Sequence, residues 1–427
     1  MLTLPEYYLM SQRSIDPYAI DMFVDEIEIT EVADSTYYFS AFSGVTAFET
    51  SEGLVLIDTG LSATSATMAE ALREYTDASV HTAIYTHGHL DHAFNLDDYL
   101  VSGQDSPNVI AHQVMPNRFD RYEQTVGHND AINSRQFGGT TSGIDELDDL
   151  AESSQFGWPE YPPTTIYDDN LTIQVGDITL ELHHARGETD DHSWVYCPER
   201  EVLCPGDFVI GVAPNAGNPQ KVQRYPWEWA DALREMTAVD AETLCPGHGR
   251  PIIDDSEEIR RRLLRSAEYL DTIVERTLDT LNDGSPPHVD IIRDVELPDP
   301  DEPWLQEVYD DGEFIVRNVL RYYGGWWSGR PSELKPASRD ALAEEITALA
   351  GGVETLVSRA EEFAADGDSR IACHLADYAL EAAPDNKRVQ SVVADIYEQR
   401  AEAMTDLMSK NIFSSAAEYA NEGRRFR

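Results

Sequence analysis

The chain has 427 residues, 41% of them hydrophobic, and carries 79 acidic against 31 basic side chains, a formal net charge of −48. This length predicts two or three domains, and the charge excludes a nucleic-acid binder, because phosphate recognition requires a concentrated basic surface. No segment approaches the roughly 20 apolar residues of a membrane span, and the N-terminus is too polar for a signal peptide. We therefore expect a cytoplasmic protein with no membrane span.

The acidic residues are spread through the whole sequence, whereas only four lysines occur. This distribution favours a halophilic surface over a binding site for a cationic partner, because molar salt screens the self-repulsion of such a surface.

Residues 1–255 alternate between two patterns. The segments ATSATMAEALREY and WEWADALREM have helical periodicity. Strands are predicted by IEITEVADSTYYFSAF, LVLIDTG, VHTAIYT, NVIAH, TTIYDD, LTIQV, ITLELHHA, SWVYC, EVLC and ETLC. This alternation predicts a layered α/β domain over 1–255.

A segment of about 50 residues, 112–163, separates two of these strands and is rich in Asn, Gly and Asp. Connections of that length are uncommon unless they are functional or disordered. It contains Arg118, Arg121 and Arg135, which stand out in so acidic a chain.

From residue 256 onward the pattern is helical only. SEEIRRRLLRSAEYLDTIVERTLDTLNDG predicts a long amphipathic helix with an acidic first turn and a glycine stop. Further helices follow the break LPDPDEP, so we predict an all-α domain over 256–427.

The segment His87-Gly88-His89-Leu90-Asp91-His92 places four metal-ligating side chains within six residues. His87 and His89 are two apart in an extended loop and can point to the same side. Asp91 and His92 would then face the other way, a spacing that suits two adjacent metals better than one. Three further ligand candidates stand where strands give way to loops: Glu188, Asp207 and His248.

The motifs HGHLDH, GET, GD and PGHG, in that order, resemble the metallo-β-lactamase superfamily. The resemblance implies an αββα sandwich as the α/β domain. It also implies one metal held by His87, His89 and Glu188, with Asp207 between this metal and a second one. The second would be held by Asp91, His92 and His248. Asp58, in LIDTG, would support the centre without binding metal.

Glu188 stands where most of the superfamily has a histidine, and this variant is typical of the alkyl sulfatase branch. The segment RNVLRYYGGWWSGRPSELKPAS resembles the helical dimerisation domain of that branch. The resemblance therefore implies a homodimer formed through 256–427, without the sterol-carrier-like domain of many alkyl sulfatases. The histidine that these enzymes carry shortly before the aromatic–glycine segment, implicated as a proton donor, is missing from the matching stretch Asp311–Ile315.

The expected reaction is hydrolysis of a small anionic ester, an alkyl sulfate above all, by hydroxide formed at two divalent metal ions. Zinc is the first choice, and the added carboxylate leaves Mn or Fe open. The expected catalytic residues are Asp91, Asp207 and His192, the last in proton transfer or support of the metal ligands. The expected substrate-binding residues are Arg118, Arg121, Arg135, Asn215, Lys221 and Arg224, with Asn218 as a further neutral donor.

Three alternatives stay open. A related hydrolase would act on a lactone, thioester or phosphoester. A non-catalytic helical interaction protein would keep a vestigial metal site. Oxygen chemistry at iron is disfavoured, because the diiron oxidoreductases of this fold have Glu where His89 stands.

Overall fold

The computed structural model describes residues 28–137 and 156–426. We expected no signal peptide on the basis of the N-terminal segment, and this segment lies outside the described residues. Part of the predicted loop 112–163 also lies outside them. In the described part of the chain, no helix is both long enough and apolar enough to cross a bilayer.

Two sheets form the centre of the N-terminal part. The first has seven strands in sequence order. Strands β1 to β4 pair antiparallel, and β4 to β7 pair parallel. Its strands are β1 (Glu28–Ala33), β2 (Thr36–Ser40), β3 (Val45–Thr50), β4 (Gly53–Ile57), β5 (Val80–Ile84), β6 (Asn108–His112) and β7 (Thr165–Tyr167).

The second sheet has five strands in the order β12-β11-β10-β9-β8. Its strands pair antiparallel except for the parallel pair β11 and β12. They are β8 (Asn170–Val175), β9 (Ile178–His184), β10 (Ser193–Cys197), β11 (Val202–Gly206) and β12 (Thr243–Pro246).

Helices cover the outer face of each sheet. Over the first lie α1 (Ser65–Leu72), α2 (Leu90–Ala93) and α3 (Met115–Gln124). Helix α4 (Val126–Gln136) follows α3 in the chain. Over the second lie α5 (Pro226–Met236), α6 (Ser256–Asn282), α7 (His288–Asp294) and α8 (Gly312–Gly324).

Strand β4 shows why the layers form. Leu54 and Leu56 pack with Met68 and Leu72 of α1 in an outer core, whereas Val55 and Ile57 pack into the core between the sheets. Because side chains alternate across a strand, a run that is apolar at every position is buried on both faces. The result is the predicted αββα sandwich, and the fold class is confirmed.

The segment 112–163 is not one long loop. Helices α3 and α4 occupy much of its described part, and Met115, Phe119 and Tyr122 of α3 are buried. These residues are spaced at i, i+4 and i+7, the repeat of a helix face, and the polar residues between them hide the repeat in the sequence.

The chain divides into two compact units. The described residues of the first are 28–130 and 156–325, and those of the second are 131–137 and 326–426. In the first unit, residues of α6, α7 and α8 share a hydrophobic core with the second sheet. The domain boundary at residue 255 stays a prediction.

The second unit is helical. A core of its own lies among α11 to α14, with contributions from α10. Its helices are α9 (Pro331–Leu334), α10 (Arg339–Leu349), α11 (Val353–Ala365), α12 (Ser369–Ala382), α13 (Lys387–Glu402) and α14 (Leu407–Asn421).

Candidate metal centre

The HGHLDH segment leaves the end of β5 and turns into α2 at Leu90. The side chains of His87 and His92 are fully buried, whereas His89 and Asp91 keep 21% and 16% of their side-chain surface exposed. Gly88 lies between the first two ligands in a space with no room for a side chain. A Cβ there would come within 2.8 Å of Arg118 Cδ and 3.0 Å of Asp191 Oδ2.

The first ligand group lies at the ends of β5 and β9. His87 Nε2 and His89 Nδ1 are 2.8 Å apart, and Glu188 Oε2 lies 3.5 Å and 3.4 Å from these two nitrogens. These atoms, together with an oxygen of Asp207, form a cluster that could hold one metal ion.

The second ligand group consists of Asp91, His92 and His248. Asp91 Oδ2 lies 3.4 Å from His92 Nε2 and 3.5 Å from His248 Nε2. Asp207 connects the groups, because its Oδ1 is 3.3 Å from both of these nitrogens and its Oδ2 is 3.7 Å from His87 Nε2. The structure thus brings together all seven residues named from the sequence as metal ligands.

The donor atoms fit a pair of divalent cations. Within the described residues, His92 Nε2, Glu188 Oε2 and Asp207 Oδ1 are buried yet make no hydrogen bond. Leaving such groups unmatched is costly, and a cation in contact with them would remove that cost. Imidazole nitrogens combined with carboxylate oxygens are ligands that zinc accepts.

Asp58, at the end of β4, orients two of the histidines. Its Oδ2 accepts hydrogen bonds from Thr86 Oγ1 and His92 Nδ1, each at 2.8 Å, and its Oδ1 accepts one from Thr86 N at 2.7 Å. Thr86 Oγ1 in turn lies 3.1 Å from His87 Nδ1. The bond from His92 Nδ1 fixes the tautomer that leaves Nε2 open to a metal. In the same way His248 Nδ1 contacts the carbonyl of Phe42.

Glu188 is held from behind by two residues predicted to bind substrate. Asn215 Nδ2 donates to Glu188 Oε1, and Arg224 Nη2 lies 3.1 Å from the same oxygen with its side chain 1% exposed. Arg224 also donates to the Glu188 carbonyl. Burial alone would raise the pKa of Glu188, but the Arg224 guanidinium and His89 outweigh it and hold that pKa well below its usual range.

Arg118 is also engaged with protein carboxylates. Its Nε donates to Asp191 Oδ1 at 2.9 Å and its Nη2 to Asp190 Oδ1 at 2.5 Å. The other oxygen of Asp191 accepts the Gly88 N–H at 2.9 Å. Arg118 therefore fastens the loop that carries His87 and His89.

His192 lies behind Asp207. Its Nε2 accepts the backbone N–H of Asp207 at 3.1 Å, and its ring stacks on Phe208 at 4.1 Å between centroids. Burial and the neighbouring His87 hold the pKa of His192 well below its usual range. A neutral, fully buried ring in this position supports the carboxylate that lies between the two ligand groups.

The remaining predicted cations are scattered. Burial, and after it the neighbouring Arg224, lower the pKa of Lys221 to about 7, whereas Glu188 and Asp91 act on this pKa in the opposite direction. Arg121 lies over the Tyr122 ring, with its Cζ 5.9 Å from the ring centroid. Arg135 belongs to the second compact unit, where it lies 4.9 Å from the centroid of Phe426.

Sequence reasoning missed several supporting groups. Asp191 was identifiable, because it lies in the run GETDDH beside two predicted site residues. No sequence motif pointed to the Phe42 carbonyl, Asp310 or Asn318, since their roles depend on contacts between distant parts of the chain.

The sandwich and the two ligand groups that share Asp207 define a metal-dependent hydrolase of the metallo-β-lactamase class. The metallo-beta-lactamase superfamily matches residues 42–248, and the alkyl sulfatase dimerisation family matches residues 288–423. These two matches confirm the resemblance to the alkyl sulfatase-like branch of the metallo-beta-lactamase superfamily that the sequence motifs predict.

Proteins similar to this chain include a linear primary-alkylsulfatase of a Pseudomonas species, 25% identical over 386 residues, or 86% of this chain and 72% of the relative. An alkyl/aryl-sulfatase of Saccharomyces cerevisiae is 25% identical over 404 residues, or 88% of this chain and 61% of the relative. The solved structure of the stereoselective inverting sec-alkylsulfatase from Pseudomonas sp. has a TM-score of 0.82 at 20% identity. That match covers 93% of this chain but 66% of the solved one, and it shows a shared fold.

Proposed function

We propose that the protein hydrolyses organic sulfate esters at a pair of divalent metal ions, zinc in the first place. The observation that carries the proposal is the Glu188 side of the centre, where a carboxylate held by Arg224 completes the ligand group of His87 and His89. The two relatives described above, which are similar over most of this chain, are named as alkylsulfatases.

The ligand roles follow from the two groups. His87, His89 and Glu188 would hold one ion, and Asp91, His92 and His248 the other, with Asp207 shared between them. Ions bound there would lower the pKa of a water molecule and stabilise negative charge on the oxygens of the ester. Asp58 and His192 keep the ligand atoms in place through the bonds described above.

Lys221 is our candidate for binding the anionic part of the ester. Lys221 stands three residues before Arg224, whose guanidinium contacts Glu188. Glu188 and Asp91, one member of each ligand group, both act on the pKa of its amine. An anion beside its amine would favour the charged form.

The decisive experiment is a substrate panel on one metal-analysed sample in molar KCl. It compares release of sulfate from primary, secondary and aryl sulfates with hydrolysis of a lactone, a thioester and a phosphoester. We expect sulfate release that a chelator abolishes and zinc restores. Preferred turnover of another ester would overturn the choice of substrate, and full activity in metal-free protein would overturn the metal chemistry.

The role of Lys221 has its own test. Lys221→Met should raise KM for the sulfate ester at unchanged metal content, and Lys221→Arg should restore much of the loss, because it keeps the charge. An unchanged KM in Lys221→Met would remove Lys221 from the substrate site.

We further infer a homodimer, because residues 288–423 match the alkyl sulfatase dimerisation family. Light scattering in molar KCl should give about twice the chain mass of 47.8 kDa. A monomer at micromolar concentration would contradict this inference.

A further inference from the structure

A single buried amide in helix α8 joins the two ends of the loop that supports Glu188. Asn318 Nδ2 donates to the carbonyls of Ala216 and Arg224, each at 2.9 Å. Its Oδ1 accepts the Arg224 N–H at 3.3 Å and an N–H of Gln223 at 3.1 Å. The side chain is 4% exposed, and every hydrogen-bonding position of its amide is used.

The loop 216–224 and the residue directly before it carry both groups that hold Glu188. Asn215 directly precedes Ala216, and Arg224 is itself the second attachment point. Both side chains reach Glu188 Oε1. The amide of Asn318 is therefore one residue from Asn215 and bonded to the backbone of Arg224.

The start of α8 holds the same loop at a second place. Asp310 Oδ2 accepts the Gly217 N–H at 2.5 Å, and its Oδ1 accepts the Asn218 N–H at 3.3 Å. A Cβ on Gly217 would lie 2.5 Å from Phe314 Cβ and 2.6 Å from Ile315 N. The loop and the helix thus approach backbone to backbone, and the loop has little freedom to shift relative to α8.

We propose that Asn318 is a positioning residue for the metal centre, which it serves by fixing the loop 216–224 so that Asn215 and Arg224 stay bonded to Glu188. The inference rests on the proposed two-metal centre. It gives α8 a part in metal binding, although this helix lies within the region that matches the dimerisation family.

The effect should be confined to one side of the centre. Asn215 and Arg224 contact Glu188, a member of the first ligand group, whereas the second group is oriented by Asp58 and the Phe42 carbonyl. Groups that orient metal ligands from behind typically account for about 10- to 100-fold in metal affinity. A loss of that size should fall on one of the two metal equivalents.

The test measures zinc affinity by competition with a chromophoric chelator. Asn318→Leu should weaken one of the two zinc equivalents about 10- to 100-fold and leave the other close to wild type. Asn129→Leu is the matched control, because Asn129 is also a buried amide in the first unit. Among the described residues, its side chain bonds only to Thr125, just before the start of α4. The visible spectrum of cobalt-loaded protein should change in Asn318→Leu and not in the control.

Two further variants keep the test decisive. Asn318→Ser removes the amide with less steric change, and it should show the same selective loss even if the leucine variant folds poorly. In a background that carries both Asn215→Leu and Arg224→Met, Asn318→Leu should weaken zinc binding little further, because both contacts through which it acts have already been removed.

The possible results separate the two proposals. Wild-type protein that holds two zinc ions, together with Asn318 variants that bind both as tightly and give the same cobalt spectrum, would overturn the role of Asn318 alone. Equal weakening of both equivalents would also overturn it, since it would indicate general destabilisation. Wild-type protein that binds no metal would overturn the two-metal function and this inference with it.

Discussion

Replacing Arg118 by methionine tests whether this arginine fastens the metal-binding loop or binds substrate. The guanidinium is 2% exposed and bonds to Asp191, whose side chain is 0% exposed. Methionine keeps much of the buried aliphatic volume but leaves the Asp191 carboxylate without its cation. The Gly88 N–H would then be bonded to an uncompensated buried charge.

The expected loss of unfolding free energy follows from the burial of this ion pair. Removing one partner of a buried ion pair costs about 3–5 kcal/mol, since the remaining charge cannot reach water. Burial would raise the pKa of Asp191, but Arg118 and His87 outweigh it and hold that pKa well below its usual range. A depressed carboxyl pKa stabilises the fold above the unfolded pKa of about 3.9 and loses this effect as the pH falls through the folded value. At pH 7.5 the full loss should be observed.

Denaturant unfolding of metal-free protein at pH 7.5 in molar KCl measures this loss. Arg200→Met is the matched control, because Arg200 pairs with Asp34 and Asp177, which are 84% and 53% exposed. Such exposed pairs are worth about 0–1 kcal/mol. The double variant Arg118→Met, Asp191→Asn should recover part of the loss, since it removes the unpaired charge and keeps an acceptor for Gly88.

Either of two results would refute this reasoning. If Arg118→Met left the unfolding midpoint unchanged and only raised KM for the sulfate ester, Arg118 would be the substrate-binding residue that the sequence suggests. If the double variant were less stable than Arg118→Met, the unpaired carboxylate would not be the cause of the loss.

Three further predictions concern the ligands and the surface. Asp207→Ala should lower bound metal below two equivalents and reduce sulfate release by at least about 100-fold, because Asp207 is shared by both groups. Metal analysis beside Asp105→Ala, a control at an exposed site, measures this loss. An unaltered metal content in Asp207→Ala would contradict the prediction. Asp58→Asn should weaken zinc binding about 10- to 100-fold in chelator competition, since it removes the charge facing His92 Nδ1, and an unchanged affinity would exclude that role. Molar KCl should raise the melting temperature, because a Debye length of about 3 Å screens the −48 net charge, whereas a melting temperature that falls with KCl would exclude a salt-adapted surface.

A layered α/β domain could be predicted because strand-like and helix-like patterns alternate in the sequence, whereas the αββα order was implied by the resemblance to the metallo-β-lactamase superfamily. A strand such as β4 that is apolar at every position must be covered on both sides, and HGHLDH marks the sheet edge where the centre lies. Helix α3 could not be predicted in the same way, because its buried residues are separated by Asn, Arg and Asp. The helical period there is carried by three residues only.

The candidate ligand set was also accessible from the sequence, because each of its residues lies in a short motif at a strand end. The partners of the ligands were not, since a cation in the sequence does not show which carboxylate it will face. Arg118 and Arg224 look alike in the sequence, as potential anion binders. In the structure one is bonded to Asp191 and the other to Glu188.

The pair of Glu188 and Arg224 has a consequence for the metal chemistry. A carboxylate in place of a neutral histidine adds one negative charge to the ligand set, which by itself would lower the Lewis acidity of the bound ion. Arg224 lies 3.1 Å from Glu188 Oε1 and is 1% exposed, so little water screens its charge. It draws negative charge toward Oε1 and away from Oε2, the oxygen that faces His87 and His89. The glutamate that replaces a histidine at position 188 is thus paired with a buried cation. Glu188 and Arg224 together, rather than Glu188 alone, determine how much negative charge this side of the site presents to a metal ion.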